Sequence, residues 1–176
     1  MGKKVFNADL SVKSIENLKK QLLDYKDNEL QRKVNLLLDR LSEEGLNVAK
    51  AKISVSPMGS KYVNVFVESS KLTRRIVFVG KVIKSEDFEP FNTLLAIEFG
   101  AGIHHNRKPN PNADKFGYGV GTFPNQIHAF QDGWYYWNEK EKKWKYTHGV
   151  KATMPMYEAE IAIRKSVARI AREVFE

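Results

Sequence analysis

The chain has 176 residues, a formal net charge of +8 and no cysteine, with a pI near 9.5. That length suits one domain over residues 1–176 with a core large enough to need no staples, and the lack of thiols excludes a disulfide framework or a thiolate metal site. No segment approaches the roughly eighteen apolar residues that span a bilayer. The opening residues lack an apolar leader region and a myristoylation serine, so no membrane partner is expected and the positive charge favours an acidic one.

Val5 to Leu10 is short enough to be either an edge strand or an extended arm. Ser14 is a candidate N-cap, and Ile15, Leu18, Leu22 and Leu23 follow at helical spacing, which predicts a first helix ending near Tyr25. A second opens near Asp27 or Asn28, where Leu30, Val34, Leu37, Leu38 and Leu41 trace one face. Gly45 leaves a choice. It ends that helix as a C′ residue, or it lies on the buried stripe of a longer one and lets another element approach closely. Ala49, Ala51, Ile53 and Val55 also alternate as a strand would. The expectation is a long helix from about Asp27 to about Ile53, stopped by Ser56-Pro57-Met58-Gly59-Ser60.

Tyr62 to Val67 and Leu72 to Ile83 are rich in β-branched and aromatic residues and predict a hairpin joined by Glu68–Lys71. Lys71, Arg74, Arg75, Lys81 and Lys84 form a basic run without intervening acids. They read as a solvated hairpin face or, alternatively, as contacts to DNA phosphates. Phe91 to Phe99 is a short helix or buried segment closed by Gly100 and Gly102, which free the backbone for positive φ. Residues 104–125, with Pro109, Pro111, Pro124 and three glycines, predict a long exposed loop. Trp134-Tyr135-Tyr136-Trp137 and Trp144-Lys145-Tyr146 then form a second hairpin, and Pro155 opens a last helix with Ile163, Val167, Ile170 and Val174 on one face. The fold class is α+β: a small antiparallel sheet of two hairpins, packed with a long N-terminal helix and a C-terminal helix.

Sites of chemistry are sparse. His104, His105, His128 and His148 supply the ingredients of a metal-dependent nucleic-acid enzyme. None lies in an HExxH or on a helix behind a hairpin, so local hydrogen bonding or partner contact is the stronger reading. No serine stands in a nucleophile elbow, and the glycines from Gly117 to Gly121 lack the Lys-Ser/Thr of a phosphate loop. No catalytic residue, metal ligand or cofactor is expected. Glu98, flanked by Ile97 and Phe99, reads as a carboxylate paired with Arg74, Arg75 or Lys108, against the alternative of a solvated side chain.

Three stretches in order carry a resemblance. Ala96-Ile97-Glu98-Phe99-Gly100-Ala101-Gly102 is similar to an A-x-x-E-F-G-T-G signature. Gly133-Trp134-Tyr135-Tyr136 with Trp144 to Gly149 is similar to a G-W-x-Y … W-x-x-T-x-G hairpin. Val150 to Ala159 is similar to a G-x-x-A-x-P-F-M-x-x-A helix entry. Together, from about Phe91 to the C-terminus, the chain resembles the tail-completion, or head–tail joining, proteins of long-tailed bacteriophages. Ala101 and Met156 depart from the usual Thr and Phe, and the A-P-V-D-T-G segment is reduced to Pro57-Met58-Gly59-Ser60.

The resemblance implies a structural component of the virion neck or tail top. It would assemble as a homo-oligomeric ring, contact tail terminator, tail tube and connector, and reside in the host cytoplasm during assembly. Its interface candidates are Glu98, Gly100, Gly102, His104, His105, Arg107, Lys108, Trp134, Tyr136 and Trp144. Lys71, Arg74, Arg75, Lys81 and Lys84 would then touch packaged DNA. A metal-dependent nucleic-acid enzyme and a basic DNA-binding module are the alternatives.

Overall fold

The computed structural model describes residues 5–84, 91–100, 110–111, 134–138 and 140–176. Gly102, His104, His105, Arg107, Lys108 and most of the expected 104–125 loop lie outside them.

The N-terminal half is one helical rod. Helix α1 (Val12–Asp24) passes through a π-helical stretch, Tyr25–Leu30, into α2 (Gln31–Val55), and Asp24 and Leu30 at the joints keep right-handed helical angles. The break expected near Asp27 does not occur. Asn28 donates its side-chain amide to Asp24 on the exposed surface (2.8 Å), so one of the side chains that read as a cap is spent within the helix and the extra residue is absorbed as a π-turn. The N-cap is Ser11 rather than Ser14. The Ser11 hydroxyl accepts from the Ser14 amide, and the Ser14 hydroxyl in turn accepts from the Asp9 amide, so both serines share the orphan donors of the first turn. Residues 5–10 form an extended arm, not a strand, and the Phe6 ring meets the Tyr25 ring edge-on at 5.8 Å.

Helix α2 runs past Gly45 to Val55, five residues beyond which α3 (Pro57–Tyr62) is well under way, capped by Ser56. Gly45 is buried on the α2 stripe, and a Cβ there would lie 2.6 Å from Cδ1 of both Ile163 and Ile76, which identifies close approach as the reason for the missing side chain. The Ser56–Ser60 punctuation thus ends α2 as expected and opens a further turn of helix.

Helix α5 (Pro155–Phe175) packs antiparallel along α2. Lys52 meets Glu158 at one end, Ser166 donates to Glu44 midway, and Lys33 donates to the Phe175 carbonyl at the other. Because α5 ends level with Lys33, α1 and the π-stretch project beyond it for roughly 28 Å at about 1.5 Å per residue.

Strands β1 (Val63–Ser70) and β2 (Thr73–Gly80) form an antiparallel ladder with Ser70 opposite Thr73, so the turn is Lys71-Leu72: β1 takes in Glu68 to Ser70, expected in the connection, and Leu72, expected in the second strand, joins the turn. Strand β2 stops at Gly80 instead of continuing to Ile83. Val82–Ile83 (β3) pairs separately with Phe91–Asn92 (β4), and Trp134–Asn138 (β5) pairs with Lys143–Thr147 (β6). Helix α4 (Thr93–Phe99) follows β4. The core gathers Ala49, Ile53, Val65, Ile97 and Ala159, with Ile76, Phe78 and Leu94 packed against them.

Candidate functional site

Glu98 is the buried polar centre of the fold. Asn92 caps α4 by accepting from the Leu94 and Leu95 amides. The buried Thr93 donates its hydroxyl to the Lys81 carbonyl at 2.8 Å, fixing the start of the helix against the end of β2. One turn later Glu98 is 1% exposed, and Gly100 ends α4 at φ 82°, a conformation a side chain would strain.

Among the described residues no base pairs with the carboxylate. Arg74 is held by Asp39 and Asn35 on α2, Arg75 is exposed opposite Glu68, and Lys108 lies outside the described residues. Instead Glu98 Oε2 accepts from the Met156 amide (2.8 Å), while Oε1 accepts from the Tyr157 amide (3.1 Å) and the Asn110 side-chain amide (2.6 Å). Met156 and Tyr157 are the second and third residues of α5, whose N-cap, Met154, offers no capping side chain and sits in the left-handed region at φ 52°. Glu98 supplies the missing cap from 58 residues away. A negative group at a helix N-terminus also complements the dipole. The Ile97 carbonyl adds two bonds, from the Thr153 and Met154 amides.

Burial raises the Glu98 pKa above the ordinary carboxylate range. The three amide donors pull it down and the Glu158 carboxylate pushes it up again, and desolvation outweighs the donors. The cluster is therefore a structural joint. It ties the segment Ala96–Gly100 to the entry of α5, the first and last of the three stretches that carry the family resemblance.

One atom of this joint is unmatched. Thr153 Oγ1 is buried without a hydrogen-bond partner. Thr153→Val keeps the shape and removes the orphan hydroxyl, so stability is expected to rise by about 1 kcal/mol in urea denaturation. A fall would mean that the hydroxyl is satisfied.

The remaining candidates scatter. Lys71 lies in the β1–β2 turn, and Lys81 and Lys84 lie past the other end of β2, roughly 24 Å away at about 3.4 Å per residue. Arg74 faces α2 while Arg75 faces the opposite side of the ladder. The five basic residues do not share one surface. In the second hairpin Trp134 and Tyr136 alternate with Tyr135 and Trp137, and Trp144 stands opposite Trp137, which places Trp144 on the Tyr135 and Tyr146 face. Trp144 is 64% exposed, and the exposed Tyr135 and Tyr146 rings meet edge-on at 5.0 Å. These two tyrosines extend the aromatic face beyond the residues singled out from sequence; the hairpin register is the signal that identifies them. His148 lies edge-on to Tyr146 at 4.9 Å, and no group of three or more metal-ligating side chains occurs among the described residues.

Helix α1 is an exposed apolar feature among the described residues. It has no buried residue, and Val12, Ile15, Leu22 and Leu23 are all at least 45% exposed. A separate apolar groove of about 450 Å³ runs between α2, β2 and α5, lined by Leu38, Leu41, Ile76, Phe78 and Ile163. No helix of the described residues is long and apolar enough to cross a membrane. Comparison of the chain with known protein families, with curated proteins and with solved structures gives no match.

Proposed function

We propose that the chain is a structural subunit of a long-tailed phage particle, placed at the tail top or neck, that assembles as a ring and helps join the tail to the DNA-filled head. The phage assignment rests on the three ordered sequence stretches described above. The observation that carries assembly is the projecting helix α1. An amphipathic helix with its apolar stripe in solvent is stable in company, not alone.

The occupant of that stripe is a sister subunit, and the receiving surface is its α2–β2–α5 groove. Pairing of α1 with its own copy would bring together Lys19 and Lys26, which flank the stripe. In the groove Glu160 and Asp39 are balanced by Arg164 and Arg74, and Glu43 lies on the adjoining turn of α2, so α1 would meet an apolar floor with no excess of like charge. Ridge and groove are different surfaces of one chain, and repeated head-to-tail contact of that kind makes a ring when the rotation between neighbours closes.

The test is the double variant Ile15→Glu/Leu22→Glu, compared with wild type by light scattering, alone and with tails of the parent particle. Wild type should form closed rings or bind tail ends. The variant should keep the wild-type circular dichroism spectrum and melting temperature yet remain monomeric and unbound. A variant that assembles normally overturns the reading, as does a wild type that neither oligomerises nor binds tails.

A further inference from the structure

Two lysines from separate elements flank one phenol, and a third contributes its charge from further off. Lys61 and Tyr62 end α3, Lys81 links β2 to β3, and Lys140 lies in the β5–β6 connection. The Lys61 ammonium sits 4.9 Å and the Lys81 ammonium 5.8 Å from the Tyr62 ring centroid, within cation–π range. A hydrogen bond from Lys61, reinforced by the charges of Lys61, Lys81 and Lys140, holds the phenol pKa below its ordinary value.

The arrangement is anchored by the core. The Lys81 amide donates to the Tyr62 carbonyl, and the Lys81 carbonyl accepts from both the amide and the hydroxyl of buried Thr93. An open depression of about 360 Å³, floored by Tyr62, Asn64, Val79 and Gly80, lies between the two ammonium groups. Four lysines, Lys26, Lys52, Lys143 and Lys145, each meet a carboxylate. Among the described residues, no carboxylate pairs with Lys61, Lys81 or Lys140. Like charges gathered without a counterion favour an anion from outside.

We propose that Lys61 and Lys81 beside Tyr62, with Lys140 adding its charge, form a nucleic-acid backbone site, in which the ammonium groups attract successive phosphates and the Tyr62 ring with exposed Val79 packs against the sugars. The aromatic and apolar floor is what favours nucleic acid over an acidic protein tail, which would use the charges and leave the floor bare. The site reads no sequence, since nothing in it offers a directed pattern of donors and acceptors. It stands whether or not the chain forms rings, and it differs from the Lys71–Lys84 run in that it is drawn together by tertiary structure.

The experiment is fluorescence anisotropy with a labelled duplex of roughly 30 base pairs, titrated from about 50 to about 200 mM salt. Lys61→Gln/Lys81→Gln/Lys140→Gln should weaken binding at least about tenfold and reduce the slope of log affinity against log salt by about 2.7, at about 0.9 per phosphate contact. The control Lys50→Gln/Lys151→Gln/Lys165→Gln loses the same charge and should change the slope by less than about 1. The Tyr62 13Cζ resonance gives a second measure, and its titration should move upward in the first variant and stay in place in the control.

Absence of wild-type binding at the lower salt overturns the proposal. So does equality of the two triple variants, or a Tyr62 titration that ignores the three lysines. If polyglutamate of matched charge competes as well as unlabelled duplex, the site serves an acidic protein and the nucleic-acid assignment falls.

Discussion

Glu98→Ala is expected to destabilise the fold by about 3–5 kcal/mol, lowering the melting temperature by roughly 10 °C for a chain of this size. The substitution strands two amides in the first turn of α5 and the Asn110 side-chain amide, all of which now donate to the carboxylate. Each orphaned buried donor costs about 1–3 kcal/mol, and removing the desolvated charge returns part of the sum. Loss below about 1 kcal/mol in urea denaturation would show that α5 does not need this cap.

The pH response has a definite sign. Burial places the folded-state pKa of Glu98 above its unfolded value of about 4.5, so the folded chain holds this proton more tightly. Stability from this group is therefore greatest below pH of about 4.5, declines as the pH rises through the raised folded value, and is level above it. The difference between wild type and Glu98→Gln isolates the group, because the other carboxylates cancel. That difference should shift against the wild type as the pH climbs from about 4 and then stop changing. A flat difference would mean that Glu98 has an ordinary pKa.

Gly80→Ala is expected to cost about 2–4 kcal/mol, although it adds a single methyl group. The added Cβ would lie 2.5 Å from Leu94 Cβ, 2.8 Å from the Leu94 nitrogen and 3.1 Å from its Cα. Two of these atoms are backbone, so no rotamer change relieves the clash and α4 must move as a body. Moving α4 carries Glu98 away from the α5 amides. The double variant Gly80→Ala/Glu98→Ala should consequently be less damaging than the sum of the two, by about 1 kcal/mol or more in a double-mutant cycle. Strict additivity would separate the β2–α4 contact from the joint. Gly45 makes a useful contrast. There the opposing atoms belong to the Ile163 and Ile76 side chains, which can swing aside, and alanine also favours the helix.

The helices and the first hairpin were legible because hydrophobic period is a local property. Leu37, Leu38 and Leu41 mark the α2 stripe, and Gly45 falls on its continuation, which is why the longer helix was the better expectation. Asn28 misled because a cap and an intrahelical hydrogen bond, here to Asp24, use the same side chain. Glu98 was legible as a buried carboxylate flanked by apolar residues, but its partners were not. Two of the three are backbone amides, which every residue but proline possesses, and nothing in the identity of Met156 or Tyr157 advertises one. The usable signal was indirect: Pro155 begins a helix after Met154, a residue unable to cap it, so an acceptor had to come from elsewhere. The Tyr62 cluster was illegible for a related reason. Its lysines are separated by long stretches of chain, and only the pairing of Val63 with Gly80 brings Lys61 beside Lys81.

The π-helical stretch between Tyr25 and Leu30 has an evolutionary implication. Each residue added to or removed from a helix turns everything beyond it by about 100°. A one-residue deletion there would restore ordinary winding and swing the leading segment about a quarter-turn around its axis, while α2, α5 and the sheet stayed as they are. The loss of a single codon would therefore re-aim the protruding end without renegotiating the interior.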